Sequence, residues 1–280
     1  MNISINDVLI FDTETTGLPE KNAKWDFDYM EFPHVVQLVW IHGCKQENHI
    51  IRPDGWEIPE ETVEVHGITT EYALEHGEPF AAVVDMFIQD CHDAGLICGH
   101  NIYFDTSVVK ANILRELGRE YYDANDVEQA LHKTKRIDTM KATNKWVDAR
   151  TASGMKKWPK LCELYSRCFP GETYPAHDAM EDVKAVARCL PVIVGLGLVE
   201  LKVKDHEAPK PEKESTTAAT IASESANKFG TAPEKSGNGA NSNPKEENDK
   251  LHIQQEKTPQ IEDFKKITDT AAELLEQNDF

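Results

Sequence analysis

Residues 8–19 (VLIFDTETTGLP) decide how the chain folds. They begin with four apolar residues, too few for a helix and rich in strand formers, so they predict a buried β-strand. Side chains alternate along a strand, which places Asp12 and Glu14 on one face, about 7 Å apart. Two such carboxylates repel each other, and a bound Mg²⁺ or Mn²⁺ removes the cost of burying them. The alternative is a strand that simply ends in the polar turn at residues 15–17.

Composition limits the class of protein. The 280 residues carry a formal net charge of −19 and are 40% hydrophobic, a low share that indicates an unfolded portion. A chain this acidic has no broad basic surface, so contact with nucleic acid would be local and assisted by metal ions. The six cysteines form no C-x-x-C pair, which argues against zinc and favours free thiols. With no signal peptide and no bilayer-length apolar run, we expect a soluble, cytoplasmic protein with no membrane partner.

Strand and helix patterns alternate along the first two thirds of the chain, which predicts an α/β domain around a central sheet. Further strands are expected at residues 34–41, 48–52, 96–101 and 136–140. Helices are expected at residues 60–66, 70–76, 80–93, 105–117, 158–169 and 179–189. The polar residues 141–156 predict a mobile loop, and Pro191 is expected to end the last helix.

The composition changes at Lys204. Residues 204–250 contain no Val or Leu, one Ile and one aromatic residue, so they cannot bury enough surface to offset chain entropy. We therefore expect a domain at residues 1–203, a disordered linker at 204–250, and a short helix or docking peptide within 251–280.

Two further segments place a carboxylate beside apolar structure. Asp105 lies where a predicted strand turns into a helix. Asp182 lies one turn into a helix, on the face of Ala179 and Val186 that points to the core. We expect His177, on the preceding loop, to be able to remain mobile, as a general base must.

These three segments, taken in order, resemble the DEDDh group of 3′–5′ exonucleases. The motifs are FDTETTG at residues 11–17, HNxxFD at 100–105 and HxxxxD at 177–182, supported by VHGIT at 65–69. The resemblance spans about residues 5–190. Within the group, the chain is similar in particular to the proofreading exonuclease of bacterial replicative polymerases and its phage-type relatives. It implies a ribonuclease-H-like fold with a mixed five-stranded sheet flanked by helices.

The resemblance also implies the site. Asp12, Glu14, Asp105 and Asp182 would hold two divalent metal ions, Mg²⁺ or Mn²⁺, at the scissile phosphate. His177 would take the proton of the attacking water, with helix capping as the alternative. Contacts to the substrate would come from a further set of residues: Thr13, Thr15, Thr16, Leu18, His66, Asn101 and Phe104. For His66 and Phe104, packing in the core is the alternative.

The implied activity is a metal-dependent 3′–5′ exonuclease that releases nucleoside 5′-monophosphates from single-stranded or frayed DNA 3′ ends, in proofreading, repair or replication. Two alternatives stay open, namely a 3′–5′ exoribonuclease and a catalytically silent nucleic-acid-binding module. Residues 260–264 (QIEDF) loosely resemble the pentapeptide that binds the sliding clamp, although Asp263 stands where that pattern has leucine. The tail is therefore expected to dock on a DNA polymerase or a clamp, or to be an unstructured solubilising tail.

Overall fold

A mixed five-stranded sheet forms the centre of the structure, a computed structural model that describes residues 3–176 and 178–202. The sheet order is β3-β2-β1-β4-β5, with β1 antiparallel to β2 and parallel to β4. This confirms the expected sheet flanked by helices. The strands are β1 Val8–Thr15, β2 Val35–His42, β3 Lys45–Ile50, β4 Leu96–Gly99 and β5 Arg136–Asp138.

Helices cover both faces of the sheet. α3 and α4 pack on one face, and α8 and α9 pack on the other. The helices are α1 Glu60–His66, α2 Thr70–His76, α3 Phe80–Asp93, α4 Ile102–Glu116, α5 Gly118–Ala124, α6 Val127–Ala130, α7 Thr139–Val147, α8 Leu161–Cys168 and α9 Ala179–Gly195.

The central strand β1 divides its side chains between two hydrophobic cores. Leu9 and Phe11 lie in the core formed with α3 and α4, whereas Val8 and Ile10 lie in the core formed with α8 and α9. This is the alternation expected of a strand buried on both faces. It also fixes which face each later residue of β1 occupies.

Strand β4 passes very close to β1 where it ends. A Cβ atom added to Gly99 would lie 3.1 Å from the Phe11 carbonyl oxygen and 3.3 Å from Cβ of Ile102. Glycine therefore lets the end of β4 and the start of α4 approach β1 closely. The chain then turns through Asn101, whose left-handed backbone (φ 70°) is one that asparagine tolerates.

The prediction of a mobile loop at residues 141–156 is wrong for the first part of this segment, which belongs to α7. The side chain of Asp138 caps this helix by accepting a hydrogen bond from the Lys141 backbone N–H. The buried face of α7 includes Thr139 and Thr143, so the pattern of apolar residues that would have indicated a helix is absent. Because α7 starts at Thr139, β5 is also shorter than expected.

Two other helix boundaries differ from expectation. The helix expected from residue 158 begins at Leu161, because the Glu163 carboxylate caps the chain at the Lys160 backbone N–H. Helix α9 continues through Pro191 to Gly195, which makes the expected stop wrong. The turn after Pro191 buries Val192 and Ile193 completely, and this packing offsets the hydrogen bond that proline removes.

Smaller differences affect three expected elements. β3 starts earlier than residue 48, β4 ends before residue 100, and α4 starts before Asp105. The residues placed by the structure contain no helix long and apolar enough to cross a membrane. None of their six cysteines is in a disulfide. His177, the linker at 204–250 and the expected docking segment at 251–280 lie outside the described residues.

Candidate active site

The second half of β1 supplies two carboxylates. Asp12 and Glu14 continue the face of Val8 and Ile10, on which α9 packs, and both are half-buried. Asp182 lies in the first turn of α9. Strand alternation and helix packing therefore bring these three acids to one end of the β1–α9 interface.

Asp105 reaches the same end from the opposite core. It lies in the first turn of α4 and is 3% exposed. Its Oδ1 accepts hydrogen bonds from the Thr13 backbone N–H at 3.2 Å and the Thr13 hydroxyl at 2.7 Å. Because odd-numbered residues of β1 face α4, Thr13 is the residue of that strand that can orient Asp105. The sequence predicts Thr13 only as a substrate contact, and the structure gives it this second role.

Tyr174 holds Asp182 in a similar way. Its hydroxyl is hydrogen-bonded to the Asp182 carboxyl, and this bond together with burial raises the pKa of Tyr174. The Tyr174 ring packs on Tyr165 of α8 with 4.9 Å between ring centroids. Sequence reasoning missed Tyr174, because a tyrosine in an irregular segment gives no signal of the partner it reaches.

Burial and the neighbouring acids strongly perturb the pKa values of Asp12 and Glu14. Burial, and then the charges of Asp105, Glu14 and Asp182, raise the pKa of Asp12 well above its usual range. Burial, and then the charges of Asp182 and Asp105, raise the pKa of Glu14 to about 8. Burial raises the pKa of Asp105 to about 7 although the Thr13 hydrogen bonds oppose the shift. The shifts of Asp12 and Glu14 show that the structure brings the four predicted acids close enough for their charges to act on one another.

The turn after β1 is held by its own hydroxyls. The Thr15 hydroxyl donates to the Gly17 carbonyl at 2.7 Å, and the Thr16 hydroxyl accepts from the His34 backbone N–H at 2.8 Å. Leu18 projects from this turn and is 82% exposed. Thr15 and Thr16 thus have structural partners, while the Leu18 side chain is open to solvent.

His66 lies beside this turn at the end of α1. Its Nδ1 accepts from the Ile68 backbone N–H at 3.1 Å. Burial lowers the pKa of His66, and the nearby Thr15 carbonyl partly offsets the shift. A cavity of about 450 Å³ opens here, lined in part by His66, Tyr72 and Asp178.

Asn101 and Phe104 border the site less directly. The Asn101 backbone N–H donates to Oδ1 of Asp138 at 3.2 Å. Phe104 is half-buried against the core that contains α3 and α4, so it has the packing role that was the alternative for it. His100, between β4 and Asn101, has its ring between the Thr139 hydroxyl and the Pro159 carbonyl, each at 2.9 Å.

Two acids near His177 have structural roles. The Asp178 side chain caps α9 by accepting from the Met180 and Glu181 backbone N–H groups at 3.0 and 3.1 Å. Glu181 forms an ion pair with Lys184 at 2.7 Å. His177 itself lies outside the described residues, so its predicted role as general base stays a prediction.

The donor set suits hard divalent cations. Four neighbouring carboxylates provide oxygen ligands and an excess of negative charge, which is what Mg²⁺ and Mn²⁺ bind. Within residues 3–176 and 178–202, no three His, Cys, Asp or Glu side chains are already arranged to hold one ion. Asp105 is instead oriented by Thr13.

The raised pKa values predict how the stability of the metal-free protein depends on pH. The folded state binds more protons than the unfolded state between the ordinary carboxyl pKa and the raised values of Glu14 and Asp105, about 8 and 7. The free energy of unfolding should therefore fall as the pH rises through this window. Each pKa unit is worth about 1.4 kcal/mol, or about 3–6 °C in the unfolding midpoint.

Thermal unfolding in EDTA at pH 5, 7 and 9 tests this. We expect the midpoint to drop with pH for the wild type, and Mg²⁺ to recover the loss. The matched variant Glu14→Gln should show a smaller drop. A midpoint that rises across this window in EDTA would contradict the electrostatic account.

Comparison with known proteins agrees with this geometry. The family model described as RNase_T, exonuclease, matches residues 9–190. No curated protein matches the chain. Among solved structures, E. coli exonuclease I in complex with a dA16 oligonucleotide has a TM-score of 0.50 at 21% identity, covering 68% of this chain and 40% of that chain. The same enzyme with a dT13 oligonucleotide has a TM-score of 0.51 at 19% identity, covering 66% and 40%.

These solved structures establish the fold alone at such identities, and this chain spans about 40% of their length. The family match is of a different kind, because it covers most of the chain and contains all four clustered carboxylates. The chain therefore belongs to the RNase_T family of exonucleases, as a member with the DEDDh motifs.

Proposed function

We propose that the protein hydrolyses single-stranded or frayed DNA from its 3′ end and releases nucleoside 5′-monophosphates. The observation that carries this is the meeting of four carboxylates, whose charges raise the pKa values of Asp12 and Glu14, in an exonuclease domain. The choice of DNA is supported by the exonuclease I structures, which hold oligodeoxynucleotides. Proofreading, repair or replication is the setting proposed for this activity.

Asp12, Glu14, Asp105 and Asp182 are the residues that would hold the metal ions. Two divalent ions, when bound, would supply Lewis acidity at the scissile phosphate. The protein's contribution is orientation, since Thr13 fixes one oxygen of Asp105 and Tyr174 fixes Asp182. Both supports come from residues outside the four acids.

His177 is proposed to accept the proton of the attacking water. It immediately precedes Asp178, the cap of α9, and is five residues from Asp182. A histidine titrates near neutral pH, so it can take a proton and release it in each cycle.

The cavity beside His66 is proposed to receive the terminal nucleotide. Its volume of about 450 Å³ lies in the range of small-molecule sites. Leu18, whose side chain is largely exposed, would insert between the last two bases. Thr13, Thr15, Thr16 and Asn101 would contribute mainly by shaping the backbone around that nucleotide.

One assay tests the proposed function and its competitor. The substrates are 5′-labelled single-stranded DNA, a primer with a mismatched 3′ end, and RNA of the same sequence, each with Mg²⁺, with Mn²⁺ and with EDTA. We expect a ladder of products shortened from the 3′ end on DNA, and none in EDTA. Faster shortening of RNA would make the protein an exoribonuclease, and binding without shortening would make it a silent module.

The region after residue 203 is proposed to tether the domain to a polymerase or sliding clamp. The sequence supports this by its layout, in which a polar linker precedes a more apolar end. A chain truncated after Val203 should keep full activity on short oligonucleotides, because every proposed site residue precedes that point. It should lose co-purification with replication proteins, and a truncated chain that retains the same partners would contradict the tether.

A further inference from the structure

Residues 133–160 differ sharply in charge from the rest of the chain. They contain nine Lys or Arg against two Asp and no Glu, in a protein whose net charge is −19. They comprise β5, α7 and the hairpin that follows. A local excess of positive charge on an acidic protein attracts a polyanion to that location.

Helix α7 carries part of this charge on one exposed face. Lys141, Lys145 and Asp148 are spaced by four and then three residues, and all three are exposed, while Thr139 and Thr143 are buried. Such spacing aligns side chains along one side of a helix. Lys145 makes no ion pair with any residue that the structure describes.

The hairpin after α7 extends this row. Arg150 and Lys156 face each other across an antiparallel bridge. Both contact Asp148, with nitrogen–oxygen distances of 2.8 and 3.5 Å respectively. The negative charge of Asp148, the acid at this end of α7, is thus paired with two positive charges. We call the surface formed by four residues the basic strip: Lys141, Lys145, Arg150 and Lys156. The basic strip keeps a net positive charge.

The other end of the basic strip reaches the active site. Nζ of Lys141 lies 5.6 Å from the ring centroid of Tyr103 and 3.1 Å from Oδ2 of Asp138. Tyr103 is two residues before Asp105 in α4, and Asp138 accepts the hydrogen bond of the Asn101 backbone N–H. The strip therefore begins at the turn of α4 that holds an active-site carboxylate.

Apolar groups lie next to these charges. Tyr103 and Trp158 are each 54% exposed, and Met155 at the hairpin is 66% exposed. Trp158 precedes Pro159, whose carbonyl contacts His100. Cationic side chains beside exposed aromatic rings bind the phosphates and the unstacked bases of a single strand at the same time.

We propose that the basic strip binds the phosphate backbone of single-stranded DNA upstream of the 3′ terminus and guides the strand toward the active site. The inference rests on the proposed function. It concerns affinity for the body of the strand, because the strip touches the rim of the site and none of the four acids.

The test compares two double variants of the full chain. Lys145→Gln/Lys156→Gln removes two charges of the basic strip without touching Asp138. Arg119→Gln/Lys202→Gln removes two charges elsewhere, from side chains that are 56% and 57% exposed and each pair with an acid, as Lys156 does. Binding of a fluorescent oligothymidylate of about 16 nucleotides is measured in EDTA between about 50 and 200 mM salt.

Each phosphate contact on a single strand contributes about 0.7 to the slope of log K against log salt. The strip variant should therefore bind more weakly at low salt and show a slope smaller by about 1.4. Its KM on the long oligonucleotide should rise while kcat stays at the wild-type value. The control variant should match the wild type in slope and in KM.

Equal slopes for the strip variant and the control would overturn the proposal, even if the wild type digests DNA normally. Failure of the wild type to digest any substrate, together with a reduced slope in the strip variant, would reject the proposed function and keep the strip. Charge reversal, Lys145→Glu/Lys156→Glu, should weaken binding beyond the neutral variant, and an unchanged affinity in that variant would also reject the strip.

Discussion

Asp12→Asn is expected to abolish hydrolysis of DNA and at the same time to raise the thermal unfolding midpoint of the metal-free protein. Asp12 is surrounded by Asp105, Glu14 and Asp182, and burial with these charges raises its pKa well above the usual range. Removing its ionisable group relieves repulsion in the folded state. Removing one proposed oxygen ligand should abolish metal-dependent hydrolysis. Initial rates in Mg²⁺ and unfolding midpoints in EDTA at pH 8 measure the two effects.

Glu181→Gln is the matched control for Asp12→Asn. It removes a carboxylate in the same helical turn as Asp182, but Glu181 is paired with Lys184 at 2.7 Å and takes no part in the proposed chemistry. Its rate should stay within about twofold of the wild type, as for surface substitutions generally. Wild-type activity in Asp12→Asn would reject the metal-dependent mechanism outright.

His177→Ala is expected to lower kcat by about 10²–10⁴-fold, the usual contribution of a general base. Affinity for Mg²⁺ should be largely kept, because the four carboxylates are intact. The low-pH limb of the kcat profile should disappear with the imidazole. The profile from pH 5 to 9 and a Mg²⁺ titration, for wild type and variant, provide the measurements.

Asp178→Ala separates catalysis from helix capping. The Asp178 side chain caps α9 by accepting hydrogen bonds from two backbone N–H groups. The variant should therefore lose about 1 kcal/mol of stability and keep the low-pH limb of the kcat profile. If His177→Ala keeps the wild-type kcat and the low-pH limb and only lowers the unfolding midpoint, then His177 is a cap and the base lies elsewhere.

The four acids were predictable because each stands beside a strong local signal. Asp12 and Glu14 follow an apolar strand, and Asp182 follows a helix cap with core-facing neighbours. The same reasoning located the central sheet, since buried strands such as β4 are short apolar runs between glycines. These features depend on residues close together in sequence.

Features that depend on distant residues were not predictable. Thr13 orients Asp105, which is distant in sequence, and Tyr174 orients Asp182, which it contacts only in the folded chain. The buried face of α7 carries threonines, so the apolar pattern of a helix is absent. The expected end of α9 at Pro191 was wrong, because the burial of Val192 and Ile193 outweighs the tendency of proline to end a helix. Tertiary packing decided each of these cases.

The division of β1 between two faces has a consequence during protein synthesis. Asp12 emerges early, Asp105 follows β4, which pairs in parallel with β1, and Asp182 emerges with α9, the last of the helices that the structure describes. Translation adds roughly 5–20 residues each second, so the incomplete carboxylate set persists for seconds on the ribosome. A nascent chain therefore lacks the full set of proposed metal ligands while it is still near its own messenger RNA.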